Sequence, residues 1–232
     1  MHGQAPMTFD EFKQMAMVSM TEICREIFHE KQTSIKIKKE AVAVKNLANI
    51  FNTALKLSNE KGFQTMSLRD LSRNTGLSMG ALYSYFASKE ELLEIIQNQG
   101  RRLTRKILTS QIDPNSPSDE KLCTAIQTHL YLTEVLHKWF YFSFMETKNL
   151  EKEQQKKSIE GELSTEQVFI DILKQGNREK LFYVENPILT ASVIKAMLQD
   201  WYVKRWKYTR RQITVDEYCK FVIFFIKSAI KK

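Results

Sequence analysis

Apolar residues recur at steps of three and four along most of the chain, which is the spacing of one face of an α-helix. Residues 8–31 show this pattern first, with acidic and polar residues between the apolar ones, and it predicts one amphipathic helix. A second helix is predicted up to Lys61, because Gly62 can take the left-handed position that commonly follows a helix. No segment shows a convincing period of two, so the pattern predicts an all-α fold of roughly ten helices.

Three short elements follow, and each has a recognisable start. Ser67 and Asp70 form a capping-box pattern, in which the hydroxyl accepts from a first-turn N–H and the carboxylate reaches back. Gly76 lies in a tight turn, and Ser78 can cap the next helix. Another capping box, at residues 88–91, opens a long helix. Two short helices joined through a glycine turn are the sequence pattern of a helix-turn-helix.

The second half of the chain is predicted to form four longer helices. They run from Ser118 to about Lys148, from Ser164 to Gly176, from Asn186 to about Tyr208 and from Thr214 to about Ile230. Each starts at a residue whose side chain can accept from the first turn of the helix. The highly charged residues 149–161 are predicted to separate the first two helices.

The net charge of the chain indicates which classes of partner it can bind. There are 35 Lys and Arg against 27 Asp and Glu, which gives a net charge of +8 and a sequence pI near 9.3. Such a balance favours polyanions, first nucleic acid and then an anionic lipid surface. Residues 36–110 hold 13 basic and six acidic residues, so most of the excess lies there. Lys36, Lys38 and Lys39 are interpreted either as a basic arm along DNA or as a charged linker.

Cysteine use, hydropathy and motifs exclude other classes of protein. The three cysteines lie far apart without a CxxC pair, which argues against a disulfide scaffold or a zinc site and favours a reducing cytoplasm. Neither a run of 18 apolar residues nor a basic-led apolar leader occurs, so we expect neither membrane spanning nor export. The chain also lacks a Gly-rich phosphate loop, a GxSxG motif and a plausible nucleophile–base pair. We therefore expect no enzyme activity, no metal and no cofactor.

The helix-turn-helix segment also carries a family resemblance. It closely resembles the tetracycline-repressor (TetR) family of bacterial transcriptional regulators at Gly62-Phe63, at the turn glycine Gly76, at Leu82-Tyr83-Ser84-Tyr85-Phe86 and at Ser88-Lys89-Glu90. The sequence resemblance covers roughly residues 45–96. The residues after this segment resemble the family only in their predicted architecture. It implies a DNA-binding domain at 41–95, a helical ligand-binding and dimerisation domain at 96–232, and a homodimer formed through the last two long helices. Residues 1–40, read as an amphipathic helix and a basic linker, are an addition to the usual family pattern.

The exposed face of the second motif helix is predicted to read DNA. A helix enters the major groove only when that face is small enough to approach the base edges, and Gly80 and Ala81 make it small. Tyr83 and Tyr85 are predicted to point outward, and Arg69 matches a position that contacts DNA in the resembled family. Lys89 and the first N–H groups of its helix are predicted to hold a phosphate. The complete set of predicted DNA contacts is Ser67, Arg69, Ser78, Met79, Gly80, Ala81, Tyr83, Ser84, Tyr85 and Lys89.

In the resembled family the second domain binds a small effector that changes the separation of the two DNA-reading heads. Aromatic residues are dense on two of the predicted helices here. Each of them taken singly is interpreted as helical core packing, whereas together they predict a mostly apolar pocket with a few polar groups. The candidate lining residues are Tyr131, Trp139, Phe140, Phe142, Phe144, Met145, Trp201 and Tyr202. The segment 198–218 also resembles relatives that respond to fatty acids or acyl-CoA thioesters, which favours an effector of that class.

These patterns predict a dimeric one-component repressor that binds a palindromic double-stranded DNA operator and is released by a small apolar or amphipathic effector. One alternative is a regulator of the same family that activates transcription or has no small effector. Another is a basic helical protein that lies on anionic membranes. Residues 1–35 hold three basic and five acidic residues, which disfavours the membrane, so we expect no membrane partner.

Overall fold

The structure is a computed structural model that describes residues 7–16, 19–31 and 35–230. Within these residues it holds twelve α-helices, one 3₁₀ turn and no strand, so the predicted all-α fold is confirmed. The helices are α1 (Phe9–Ala16), α2 (Met20–Glu30), α3 (Glu40–Lys61), α4 (Leu68–Thr75), α5 (Met79–Leu82), α6 (Lys89–Gln111), α7 (Ser118–Val135), α8 (His137–Glu146), α9 (Lys152–Arg178), α10 (Pro187–Val203), α11 (Arg205–Arg210) and α12 (Val215–Ile230).

The described residues fall into two compact units. The head unit takes its residues from 18–102 and 138–158, and the body unit takes its residues from 1–17, 103–137 and 159–232. Helices α6 and α9 contribute to both units, so each unit is assembled from segments that are distant in the chain. The functional division at residues 41–95 and 96–232 stays a prediction.

The core of the head unit is built on the apolar face of α3. Leu47, Phe51 and Leu55 are buried on that face, as are Leu71 of α4 and Leu82 of α5. Burial of side chains of this size contributes about 1.5–3 kcal/mol each relative to exposure. The two short motif helices therefore depend on α3 for their stability, because an isolated helix of eight residues or fewer is marginal in water.

Trp139 of α8 completes this core. Its ring meets Phe51 edge to face, with ring centroids 6.0 Å apart, and its Nε1 donates to the carbonyl of Ile96 at 3.1 Å. The ring lies against Gly100 of α6, where an added Cβ would be 2.6 Å from Nε1. A glycine is therefore required at this helix crossing.

Two helical glycines should respond oppositely to alanine. Gly100→Ala should lower the free energy of unfolding by about 1–3 kcal/mol, because the new methyl group overlaps a ring that Ile96 holds in place. Gly80→Ala should raise it by up to about 1 kcal/mol, because an added Cβ there meets open space and alanine favours the helix. Denaturant unfolding of the two variants measures both changes. Unchanged or increased stability of Gly100→Ala would contradict this packing of Trp139.

In the body unit, α1 is held against α7 and α12. The rings of Phe9 and Phe12 each lie 5.6 Å from the ring of Tyr131. The Asp216 carboxylate, at the start of α12, accepts from the Phe9 N–H at 3.0 Å and from the Tyr131 hydroxyl. The predicted amphipathic segment thus docks on the body through its first half.

Several predicted helices are divided in the structure. The single helix predicted for residues 8–31 is wrong, since α2 starts anew after Ser19, whose backbone is extended and whose hydroxyl accepts from the Glu22 N–H. The single helix predicted up to Lys148 ends at Val135, and Leu136 has φ −109° and ψ 30°. After this break α8 leads into a 3₁₀ turn, Thr147–Asn149.

Two further helix limits differ from the prediction. The helix predicted to start at Ser164 begins at Lys152, because the Lys- and Glu-rich segment before it is itself helical. The Ser164 hydroxyl donates back to the carbonyl of Gly161 and caps nothing. The helix predicted to reach Tyr208 is interrupted at Lys204, whose N–H still donates to the carbonyl of Asp200.

The remaining start signals were mostly correct. Asn186 accepts from the Leu189 N–H, and Pro187 occupies the first turn of α10 as predicted. Thr214 and Glu217 form the predicted reciprocal cap of α12. Ser118 is the exception: it is the first residue of α7, Pro117 takes the cap position before it, and both the N–H and the hydroxyl of Ser118 donate to the Glu179 carboxylate.

Candidate nucleic-acid interface

The helix-turn-helix is fixed by the caps that the sequence predicted. The Ser67 hydroxyl accepts from the Asp70 N–H at 3.1 Å, and the Asp70 carboxylate accepts from the Ser67 N–H at 3.0 Å. Gly76 ends α4 in the left-handed region, with φ 71°. The Ser78 hydroxyl then accepts from the Ala81 N–H at 3.1 Å and starts α5. The capping box, the glycine turn and the second cap are all confirmed.

Electrostatics strengthen the start of α4. The carboxylate of Asp70 accepts from Lys61 Nζ at 2.8 Å and from an Arg73 guanidinium nitrogen at 2.7 Å. Hydrogen bonds from Lys61 and then from Ser67 hold the pKa of Asp70 well below its usual range. The group therefore stays ionised at physiological pH, and α4 is anchored to the end of α3.

The outward face of α5 is small at its centre. Gly80 is exposed, and the space beside its Cα is open. Tyr83 follows at the end of the helix with 45% of its surface exposed. Arg69 of α4 is exposed and has no ion-pair partner among the described residues. The helix-turn-helix therefore presents open backbone at Gly80 and an exposed phenol at the end of α5, and it presents an exposed guanidinium on α4; such groups can contact base edges and phosphates.

The other predicted contacts differ in exposure. Met79, Ala81 and Ser84 are half-buried, while Ser67 and Ser78 are exposed at the starts of their helices. A helix N-terminus presents N–H groups that suit a phosphate. The roles of these five residues toward DNA stay predictions.

Tyr85 is placed differently from the prediction. Its side chain is 1% exposed, and its hydroxyl accepts from Asn46 Nδ2 at 2.8 Å. Burial raises the pKa of this phenol above its ordinary value. The outward orientation predicted for both tyrosines is wrong for Tyr85, because α5 ends at Leu82 and the chain then turns, with the Tyr85 N–H donating to the carbonyl of Leu82, so that this side chain enters the core.

Lys89 lies at the start of α6 and is engaged within the head unit. Its Nζ donates to the carbonyl of Gln64 at 2.9 Å and sits 4.8 Å from the centroid of the Phe63 ring. Burial lowers the pKa of this ammonium. The Glu91 N–H donates to the Ser88 hydroxyl, but the Glu91 carboxylate accepts from Ala87, so half of the predicted capping box forms.

The eight predicted ligand residues are divided between the units. Trp139 and Phe142 are core residues of the head, the latter with its ring 5.7 Å from that of Phe63. Phe144 and Met145 are exposed on the same helix, and Phe140 is half-buried there. Sequence reasoning had placed all of these on one continuous helix with Tyr131, which the break at Leu136 rules out.

Trp201 of α10 belongs to a dense polar and aromatic network in the body. Its Nε1 donates to the Glu134 carboxylate at 2.9 Å, and its ring stacks on Tyr218 with centroids 5.0 Å apart. Arg205 donates to the same carboxylate through two nitrogens, at 2.9 and 2.6 Å. Tyr202 beside it is buried, and burial raises its pKa far above the ordinary value. The arrangement joins α7, α10 and α12.

Sequence reasoning missed a buried polar cluster in the body. Lys195 Nζ donates to Thr165 Oγ1 at 3.0 Å and lies 3.1 Å from His129 Nε2 and 3.2 Å from a Glu162 oxygen. Burial, followed by the Lys195 charge, lowers the pKa of His129 well below its ordinary value. The available signal was that Lys195 is the one charged residue in the apolar run 187–199.

A capped helix-turn-helix with a small exposed face defines a DNA-binding protein. Comparison with known families narrows this class to one family. The family described as "Bacterial regulatory proteins, tetR family" matches residues 50–96, and "Tetracyclin repressor-like, C-terminal domain" matches residues 115–223. Together they span more than half of the chain, which belongs to the TetR family of transcriptional regulators and is a regulator, not an enzyme.

Individual relatives agree with this assignment. The HTH-type transcriptional regulator HbdR of Aromatoleum sp. (strain CIB) is 21% identical over 162 residues, which cover 70% of this chain and 71% of HbdR. A tetR-family regulatory protein from Rhodococcus RHA1 superposes with a TM-score of 0.74 at 19% identity, covering 81% of this chain and 97% of that one. FadR from Bacillus subtilis, solved in complex with stearoyl-CoA, has a TM-score of 0.63 at 18% identity, covering 78% and 98%. Within the described residues no helix is both long and apolar enough to cross a bilayer.

Proposed function

We propose that the chain is a dimeric repressor that acts in the cytoplasm and binds a palindromic double-stranded DNA operator. Each protomer places α5 in the major groove, with Gly80 nearest the base edges and Tyr83 at the flank. The observation that carries this proposal is the small, exposed face of a doubly capped helix-turn-helix. Ser67, Arg69, Ser78, Met79, Ala81, Ser84 and Lys89 complete the proposed contact set.

Tyr83→Ala tests the head directly. Tyr83 is 45% exposed and lies outside the buried core of the head, so the fold should be retained. Operator affinity should fall about 5- to 150-fold, the equivalent of one good base or phosphate contact worth about 1–3 kcal/mol. A gel-shift titration measures the affinity, and sedimentation checks that the oligomeric state is the same. Unchanged operator affinity would contradict the proposed reading face.

The proposed homodimer is supported by apolar side chains on the last two long helices. Those that are exposed are Ile188, Leu189 and Val193 on α10 and Phe221, Phe224 and Phe225 on α12. Large exposed apolar side chains that are grouped in this way favour an interaction surface. The two helices meet where the Tyr218 hydroxyl donates to the carbonyl of Met197. A two-fold interface through the exposed apolar side chains of α10 and α12 brings together two helices from each protomer. The resulting four-helix dimer presents two heads to a palindromic DNA site.

The proposed effector is a fatty acid or an acyl-CoA that binds the body. FadR, to which the chain is similar in fold, was solved with stearoyl-CoA. The body also holds Lys195 and His129 within an apolar core, which supplies the polar groups that an amphipathic ligand requires. The dimer has one conformation that fits the operator and one that does not. Such an effector weakens DNA binding only as far as its affinity for the second conformation exceeds its affinity for the first.

A thermal-shift titration tests the effector class. Palmitoyl-CoA, stearoyl-CoA and the corresponding free acids should raise the melting temperature, and the same ligands should lower operator affinity in a gel shift. Acetyl-CoA is the control for the nucleotide part. No shift with any of the long-chain ligands would remove this class of effector and leave the DNA-binding function intact.

A further inference from the structure

The five residues before α3, 35–39, belong to no helix, and one of them bonds to the turn that follows α5. The backbone N–H of Lys36 donates to the carbonyl of Ser84 at 3.0 Å, one residue after Tyr83. Ile35 is buried and Ile37 is half-buried. The segment is therefore attached to the head both by a backbone hydrogen bond and by two apolar side chains.

Buried and exposed side chains alternate along this segment, and the exposed ones are lysines. An extended chain points successive side chains to opposite sides. Burial alternates in the same way here, since Ile35 is buried and Ile37 is half-buried while Lys36 and Lys38 are exposed, and Lys39 follows with extended backbone just before α3. All three lysines are exposed, and in residues 7–16, 19–31 and 35–230 none of their ammonium groups has an ion-pair or hydrogen-bond partner.

The acidic group nearest in sequence is already neutralised. Glu40, the first residue of α3, lies 3.3 Å from Arg25 Nε and 3.6 Å from His29 Nε2. Its carboxylate is thus directed to α2 and is not paired with the three lysines. Three uncompensated positive charges remain on a short, anchored segment.

We propose that Lys36, Lys38 and Lys39 form a lysine strip that binds the sugar–phosphate backbone of the operator beside the groove occupied by α5. This inference rests on the proposed function and assigns a second contact surface within it. The hydrogen bond to Ser84 fixes the strip next to the reading face, so DNA that meets Tyr83 also comes within reach of the lysines. Phosphate contacts of this kind position a protein on DNA without reading its sequence.

Salt dependence distinguishes such contacts from base contacts. Each phosphate that a protein neutralises adds about 0.9 to the negative slope of log affinity against log salt concentration. A Lys36→Gln/Lys38→Gln/Lys39→Gln variant should therefore lose about 2–3 units of that slope. Its affinity at physiological salt should fall about 10- to 100-fold on the operator and on random duplex alike, leaving the preference between them unchanged.

The chain offers a matched control. Lys152, Lys156 and Lys157 are three exposed lysines on the part of α9 that belongs to the head unit. Replacing all three by Gln removes the same charge without touching the strip. Tyr83→Ala is the second control, because it should reduce operator preference while keeping the salt slope within about one unit of the wild-type value.

The probes are a duplex selected by the wild-type protein from a random library and a random duplex of equal length, titrated from low to physiological salt. A lower slope in the strip variant and an unchanged slope in the α9 control support the proposal. An unchanged slope in the strip variant, with operator preference reduced in Tyr83→Ala, overturns the strip and keeps the proposed function. If the wild-type protein selects no duplex, the proposed function fails and the strip with it. Denaturant unfolding checks that all variants fold alike.

Discussion

Gly80→Leu is expected to fold and dimerise as the wild-type protein does and to lose at least about a hundredfold in operator affinity. An added Cβ at Gly80 meets open space, so the folded head accommodates the larger side chain. The same side chain fills the gap that the base edges must enter, which holds α5 away from the groove and removes several contacts worth about 1–3 kcal/mol each. Gel shift for affinity and denaturant unfolding for stability measure the two effects separately.

Two controls sharpen this experiment. Gly80→Ala should lose much less affinity than Gly80→Leu, because a methyl group projects far less from the helix. Gln14→Leu places the same leucine on an exposed position of α1 in the body unit and should leave DNA binding unchanged. Wild-type affinity in Gly80→Leu would show that α5 does not approach the bases.

Phe224→Asp is expected to convert the dimer into a monomer and to weaken operator binding by about 10²–10⁴-fold. The Phe224 side chain is 69% exposed in the single chain, so the substitution should leave the folded monomer intact. In a two-fold interface it introduces two carboxylates that lose water without gaining a partner, at a cost of several kcal/mol. The affinity loss follows because joining two half-site contacts multiplies affinity by about that factor.

Sedimentation at micromolar concentration measures the oligomeric state, and circular dichroism checks the helical content. Met15→Asp is the matched control, since Met15 is an exposed apolar residue on α1 of the same unit. It should remain dimeric with unchanged operator affinity. A dimeric Phe224→Asp protein with normal DNA binding would contradict the proposed interface.

The sequence predicted the head well because its signals are local. Capping by Ser67 and Ser78 and the left-handed turn at Gly76 depend on residues within four positions of each other, and each formed as expected. The apolar face of α3 was also predictable from its spacing. The prediction that Tyr85 points outward was wrong, because the orientation of this side chain depends on where α5 ends. Helix ends are set partly by tertiary packing.

The body was predicted less well because its features depend on distant partners. The interruptions at Leu136 and Lys204 carry no glycine or proline. Trp139 was assigned to a ligand pocket, although the residues that surround it are Phe51, Ile96 and Gly100 of the head. An aromatic residue on a helix does not by itself disclose which core it enters.

In the proposed complex, two copies of the head read a symmetric DNA site. A hydroxyl-radical footprint of the wild-type protein on its selected duplex tests this most directly. We expect two protected stretches related by a two-fold axis, with centres about one helical turn or a multiple of it apart, and we expect Gly80→Leu to lose them. Protection that shows no symmetry, or that persists unchanged in Gly80→Leu, would contradict the proposed complex.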